Sequence, residues 1–155
     1  ELFISIPEYF SVLEAKFLNP GFEFWFSNHE HIRTPFPGRV FSELKNKTTS
    51  IFTGWLKGLK EEELNQMPDN EFAEMFETIL FNEALKLVDS DDERISVVYP
   101  FMPRIGDWVN HSEHGKGEII ERKEILNHEN KKVLEVTISC QNNTVVWKTQ
   151  FELIA

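Results

Sequence analysis

Hydrophobic positions along the chain mix strand and helix periods up to about residue 95 and follow strand patterns after it. Leu2, Ile4 and Ile6 alternate with polar neighbours, which predicts a short strand ended by Pro7. Between Glu8 and Phe17, the residues Tyr9, Phe10, Leu13 and Phe17 fall near helical spacing, and Asn19-Pro20-Gly21 reads as a chain break. FEFWF (22–26) is aromatic on both faces and predicts a buried strand. The following SNHEHIRTPFPG reads as a loop, marked by Pro35, Pro37 and Gly38.

Two helices come next. Thr48 or Thr49 is positioned to cap a helix with the stripe Ile51, Phe52, Trp55, Leu56 and Leu59. Gly54 and Gly58 inside it cost helix propensity, and their i,i+4 spacing is compatible with close approach of another backbone. Asp69 or Asn70 is expected to cap a longer helix. Its stripe is Phe72, Met75, Phe76, Ile79, Leu80, Ala84 and Leu87. Glu71, Glu74 and Glu77 lie off that stripe, mostly near the helix start, where the dipole favours negative charge. The run Asp89, Asp91, Asp92 and Glu93 follows the expected helix end, where negative charge is mildly unfavourable.

From Ile95 the pattern is that of short strands: ISVVYPF, DWVNH, GEIIERKEIL, KKVLEVTISC and TVVWKTQFELI, with turns expected at NHEN (127–130) and QNN (141–143). Leu134, Val136, Ile138 and Cys140 alternate, which puts Cys140 on an inward face as a small apolar residue rather than a nucleophile. Helices grouped first and strands last predict an α+β fold. Residues 1–98 would be a mixed strand and helix region with two main helices. Residues 99–155 would form a small antiparallel barrel, either separate or sharing one core with the first part.

Composition narrows the class. The chain has 155 residues, 41% hydrophobic and 27% charged, enough to bury a core without disulfides or metals. No apolar run approaches bilayer length and the start lacks a basic leader segment, so neither a membrane span nor a signal peptide is expected. The single cysteine fits a reducing cytoplasm. Net charge is −10, with 18 acidic and 9 basic side chains in residues 1–98 against 8 and 7 in residues 99–155. That balance disfavours binding through nucleic-acid phosphates and suits a basic partner.

Candidate chemistry is sparse. His29 and His31 would share a strand face and His111 and His114 flank a hairpin, but no supporting Cys or carboxylate spacing makes them a metal motif. The nucleophile elbow, the paired-His zinc motif, C-x-x-C and the Walker phosphate loop are all missing from the sequence. No catalytic residue, metal or cofactor is therefore assigned.

The stretch GDWVNHSEHGKGEII (106–120) carries a resemblance. Its order Gly106-Asp107, Val109, His111, Gly115, Gly117, Ile119-Ile120 resembles the first hairpin of a small SH3-like or tudor-like barrel. It is similar to the C-terminal tail of bacterial superfamily-one DNA helicases and to the RNA-polymerase-binding domain of a family of bacterial transcription regulators. The resemblance covers residues 103–155. It implies that Gly106-Asp107 turns the chain into the first strand, that Val109 points into the barrel, and that Gly115 and Gly117 shape the hairpin. It transfers a barrel able to hold a partner, not an activity.

Two binding readings follow. In size, acidity and Phe content the chain resembles, in a general way, the immunity proteins that neutralise basic bacterial toxin domains. Glu61, Glu62, Glu63, Asp89, Asp91, Asp92 and Glu93 are the candidates for that surface, standing in for phosphates before a basic, nuclease-like cleft. The alternative is an adaptor whose hairpin contacts transcription or repair machinery or RNA through Trp108, His114 and Lys116, with Arg122 and Lys123 beside them. Trp108 itself reads first as a core residue and second as a contact platform.

Overall fold

Residues 6–140 and 145–153 are described by the structure, a computed structural model. The chain divides into two compact units, Glu1–Val88 and Asp89–Ala155. The class is α+β, with helices in the first unit and an antiparallel four-stranded sheet in the second.

In the first unit, α1 (Ile6–Leu13) runs through a π-helical turn, Glu14–Leu18, into α2 (Asn19–Trp25). The expected strand at Leu2 and Ile4 lies outside the described residues, whereas Ile6 and Pro7 open α1. Two expectations are corrected in α2. Pro20 follows directly on the π-helical turn, and Leu18 and Asn19 before it keep right-handed helical dihedrals, so Asn19-Pro20-Gly21 continues the helix instead of breaking it. FEFWF is accordingly not a strand. Phe22 packs edge-on against Phe76 at 5.2 Å and Trp25 against Phe81 at 4.9 Å. Gly21 permits this approach, because a Cβ there would meet the Phe76 ring at 2.2 Å.

The loop after Trp25 is as expected, pinned by reciprocal backbone bonds between His29 and Ile32. The next helix, α3 (Phe41–Gly58), begins well before Thr48. Val40 holds the cap position with no side-chain bond, so no cap signature marked the start. Thr48 is a buried residue inside α3, beside the buried Leu44, Phe52 and Leu56, and does not cap it. Gly54 and Gly58 face open space, so the backbone approach that their spacing would allow is not made there.

A short α4 (Glu61–Gln66) leads to α5 (Asp69–Leu87). Pro68, not Asp69 or Asn70, holds the cap position of α5, and Asp69 is its first helical residue, paired with Lys16 at 2.7 Å. The α5 stripe buries Phe72, Phe76, Ile79, Leu80 and Ala84, at about 1.5–3 kcal/mol for each large side chain.

In the second unit, α6 (Asp91–Val98) precedes β1 (Trp108–His111), β2 (Gly115–Leu126), β3 (Lys132–Cys140) and β4 (Val146–Glu152). The sheet order is β1-β2-β3-β4, antiparallel throughout, with a register shift in β2 between Ile119 and Glu121. The expected strand ISVVYPF is corrected, since Ile95–Val98 belong to α6. Ser90 caps this helix by accepting the Glu93 N–H at 3.1 Å, and that capped turn overrides the β-branched composition. Because α6 packs on β2, the division of the chain falls at Val88/Asp89 rather than at 98/99.

The sheet's core is Ile95, Met102, Ile119, Leu134, Val136 and Ile138, with Tyr99, Val109, Trp147 and Phe151 against it. Val109 therefore points inward. Cys140 is buried as expected, and Trp147 donates its indole N–H to the Cys140 sulfur at 3.2 Å. NHEN forms the β2–β3 turn: Asn127 accepts the Glu129 and Lys131 N–H groups, and Asn130 takes a left-handed φ of 60°. The QNN turn lies outside the described residues. No described helix is long and apolar enough to cross a membrane.

Candidate functional site

The β1–β2 hairpin forms because two glycines take backbone conformations closed to other residues. Gly106 has φ 94° and Gly115 φ 76°. Gly106 N–H and Ile119 N–H then bond Ile119 O and Asp107 O, both at 2.8 Å, which starts the pairing. Gly117 has no room for a side chain, since a Cβ would meet Ile138 at 2.4 Å.

The hairpin splits the residues expected to act together there. Trp108 is 44% exposed and not a core residue, and the Lys116 ammonium lies over its ring at 5.0 Å. His114 instead stacks on Trp147, at 5.3 Å, and on His111, at 4.9 Å. The aromatics that pack on the core are Tyr99, Trp147 and Phe151, each half-buried.

His111, Glu113 and His114 each bring one ligand-type atom within 4.8 Å of the others, the arrangement nearest to a metal site among the described residues. His111 Nδ1, however, accepts the Glu113 N–H at 3.1 Å, so its lone pair already closes the turn. The cluster is arranged as a hairpin cap. His29 is likewise used locally, within 2.8 Å of Phe24 O and stacked on the Phe24 ring.

Arg122, expected beside Lys123 on the contact surface, is buried, with its side chain 1% exposed. Its guanidinium donates from Nε to Asp92 Oδ1, from Nη1 to Pro103 O at 2.8 Å, and from Nη2 to Asp92 O at 2.8 Å and Ser96 Oγ. Such a charge is tolerated inside only because its N–H groups are matched. Arg122 joins α6, the following loop and β2, and is unavailable to a partner.

The acidic run receives a structural explanation that the sequence reading did not find. Asp91, Asp92 and Glu93 form the first turn of α6, where the helix dipole favours them. Glu93 accepts the Asp89 N–H at 2.8 Å, Asp91 accepts from Arg94 at 2.9 Å, and Asp92 holds Arg122. Ser90-x-x-Glu93 is the capping-box pattern, a signal visible in the sequence.

Beside it, Glu124 accepts from Arg94 at 3.0 Å and from Tyr99 at 3.1 Å. The Arg94 hydrogen bond, helped by Tyr99, holds the Glu124 carboxyl below its ordinary value against the opposing effect of burial. The Asp91 and Glu124 hydrogen bonds raise Arg94, and burial followed by the Glu124 bond raises the Tyr99 phenol.

In the helical unit the acids are less occupied. Glu63 accepts the Lys60 N–H at 3.2 Å, which ties the start of α4. Glu61, Glu62, Glu71, Glu74 and Glu77 are exposed and have no ion-pair partner among the described residues. Two grooves flank α5. One, of about 220 Å³, is lined by Phe17, Pro20, Phe24, Trp25 and Phe76, with Lys16 and Glu77 also bordering it. The other, of about 390 Å³, is lined by Trp55, Met67, Glu71, Glu74, Met75 and Thr78. Sequence reading placed Trp55 and Met75 in core stripes and left Met67 unassigned. The second groove arises where α3, the α4–α5 link and α5 meet, so no local pattern announces it.

Comparison with protein-family models, curated proteins and solved structures found no match to this chain.

Proposed function

We propose that the protein is a non-catalytic binding protein of the inhibitor or immunity class, acting on a basic protein such as a nuclease-like toxin domain. The observation that carries this reading is the set of exposed carboxylates without ion-pair partners among the described residues, Glu61, Glu62, Glu71, Glu74 and Glu77, on α4 and the N-terminal half of α5. Exposed acids without ion-pair partners create a field that attracts a cationic surface and accelerates encounter. Of the acids first considered, Glu61 and Glu62 keep that role. Glu63, Asp89, Asp91, Asp92 and Glu93 contribute to the field while serving their own helix starts. The buried thiol Cys140 supports a reducing, cytoplasmic setting.

The reading is tested with purified basic nuclease domains. A 1:1 complex that blocks cleavage is expected, with an association rate falling at least about tenfold between about 50 mM and about 300 mM salt. Undiminished cleavage and no complex with any basic domain at low salt would sink it.

For the sheet unit we propose the SH3-like identity. The positive-φ Gly106 and Gly115, the inward Val109 and the bulged β2 support it. A second reading, an adaptor for transcription or repair machinery or RNA, is favoured by the exposed Trp108 under Lys116. Trp108→Ala should then abolish binding to labelled single-stranded RNA. Binding weaker than about 10⁻⁴ M in the unaltered protein removes nucleic acid as the partner.

A further inference from the structure

We propose that the groove lined by Trp55, Met67, Glu71, Glu74, Met75 and Thr78 docks a cationic amphipathic helix presented by a protein partner. This rests on the basic-partner reading and gives it a specific place.

The lining is mixed, and its apolar part, Trp55, Met67 and Met75, is firm on one side and adaptable on the other. Trp55 is half-buried and held by ring contacts to Phe52 at 5.6 Å and Phe72 at 5.9 Å. Met67 and Met75 are half-buried thioether side chains, which can refit around varied apolar shapes. A polar or polyanionic ligand would leave that apolar part unused, and its phosphates would meet Glu71 and Glu74. A bare cation would satisfy the carboxylates and leave the apolar part wet.

One occupant matches both features. An amphipathic helix presents apolar side chains at i, i+3, i+4 and i+7, with Lys or Arg on the flanks. Glu71, Glu74, Met75 and Thr78 repeat the same three-and-four spacing along α5, so rows on the two helices can interdigitate. The charge argument also separates this groove from its neighbour across α5. There the acid Glu77 is accompanied by Lys16, and no sign of charge is preferred. At the groove of Trp55, Met67 and Met75 both charged lining residues are acidic, and neither has an ion-pair partner among the described residues.

The probe is a synthetic helical peptide of Leu and Lys about 18 residues long, long enough to hold a helix when docked. It is titrated into the full chain at low salt by calorimetry and tryptophan fluorescence. Glu71→Gln with Glu74→Gln should weaken binding about tenfold and Met75→Gln about threefold. Glu23→Gln with Glu121→Gln, an equal change of charge elsewhere, should weaken it less than about twofold. Equal losses in the two double variants would overturn the groove while leaving a diffuse acidic attraction, and hence the basic-partner reading, intact. No peptide binding alongside a stable complex with a folded basic domain would also overturn the groove alone. Failure of both assays removes the groove and the wider reading together.

Discussion

The two units use charge in opposite ways. In the helical unit the interior is a run of aromatic contacts, Phe17 on Phe72, Phe22 on Phe76 and Trp25 on Phe81, while five exposed carboxylates, Glu61, Glu62, Glu71, Glu74 and Glu77, stand without ion-pair partners among the described residues. In the sheet unit a group of charges is structural. Arg122 is buried and ligated by Asp92, Ser96 and Pro103, and Glu124 collects Arg94, Tyr99 and Lys132. Acid residues that look alike in a linear chain are therefore a solvated surface in one place and part of a folded network in the other.

The largest test of this contrast is Arg122→Ala. Removing the guanidinium strands Asp92 and two backbone carbonyls, and should cost the sheet unit about 3–5 kcal/mol in urea unfolding. A loss below about 1 kcal/mol would show that the network contributes little.

The matching change in the helical unit is Gly21→Ala, which drives a methyl into the Phe76 ring. It should cost about 1–3 kcal/mol and disturb aromatic near-ultraviolet circular dichroism, although alanine is the better helix former. A stability gain would mean that α2 and α5 are not in close contact.

Acid should separate the units next. The Glu124 carboxyl is held below its ordinary value in the folded protein. Its contribution is therefore present above the unfolded pKa and is lost as pH falls through the lowered folded one. Glu124→Gln should cost about 1–2 kcal/mol at neutral pH and flatten the fall in stability below the ordinary carboxylate range. An unchanged acid limb would remove Glu124 from the network.

The smallest effect is expected at Thr48, whose buried hydroxyl has no partner among the described residues. Thr48→Val should change stability by less than about 1 kcal/mol, in the stabilising direction. A loss larger than that would mean the hydroxyl is hydrogen-bonded.

How legible each part was follows from the range of the forces that shape it. The stripe of α5 and the inward set Leu134, Val136, Ile138 and Cys140 of β3 are local repeats, and these residues are buried in the structure, with Met75 and Leu87 of the stripe half-buried. Elements decided by distant contacts were misread. FEFWF has strand-like composition, yet Gly21 lets Phe22 reach Phe76, and packing overrides propensity. ISVV is β-branched but follows the Ser90–Glu93 cap, a local signal that went unused. Arg122 sits in a strand rich in charge, and nothing in its neighbours reveals burial under α6. The groove at Trp55, Met67 and Met75 brings together residues from three segments, so no window of sequence contains it.

The π-helical turn at Glu14–Leu18 bears on how this chain can vary in length. Leu13 and Leu18 are both buried, five residues apart, and Phe22 follows four further on. In an unbroken α-helix, at about 100° per residue, five residues would leave the two leucines about 140° apart. The wider turn takes up the surplus and keeps one apolar side in phase. Such a segment is equivalent to an α-helix that has absorbed a single inserted residue. Deleting one residue there, Ala15 for instance, would restore four-residue spacing without reassigning which side is buried. The first helical stretch thus contains a point where insertion and deletion are structurally interchangeable.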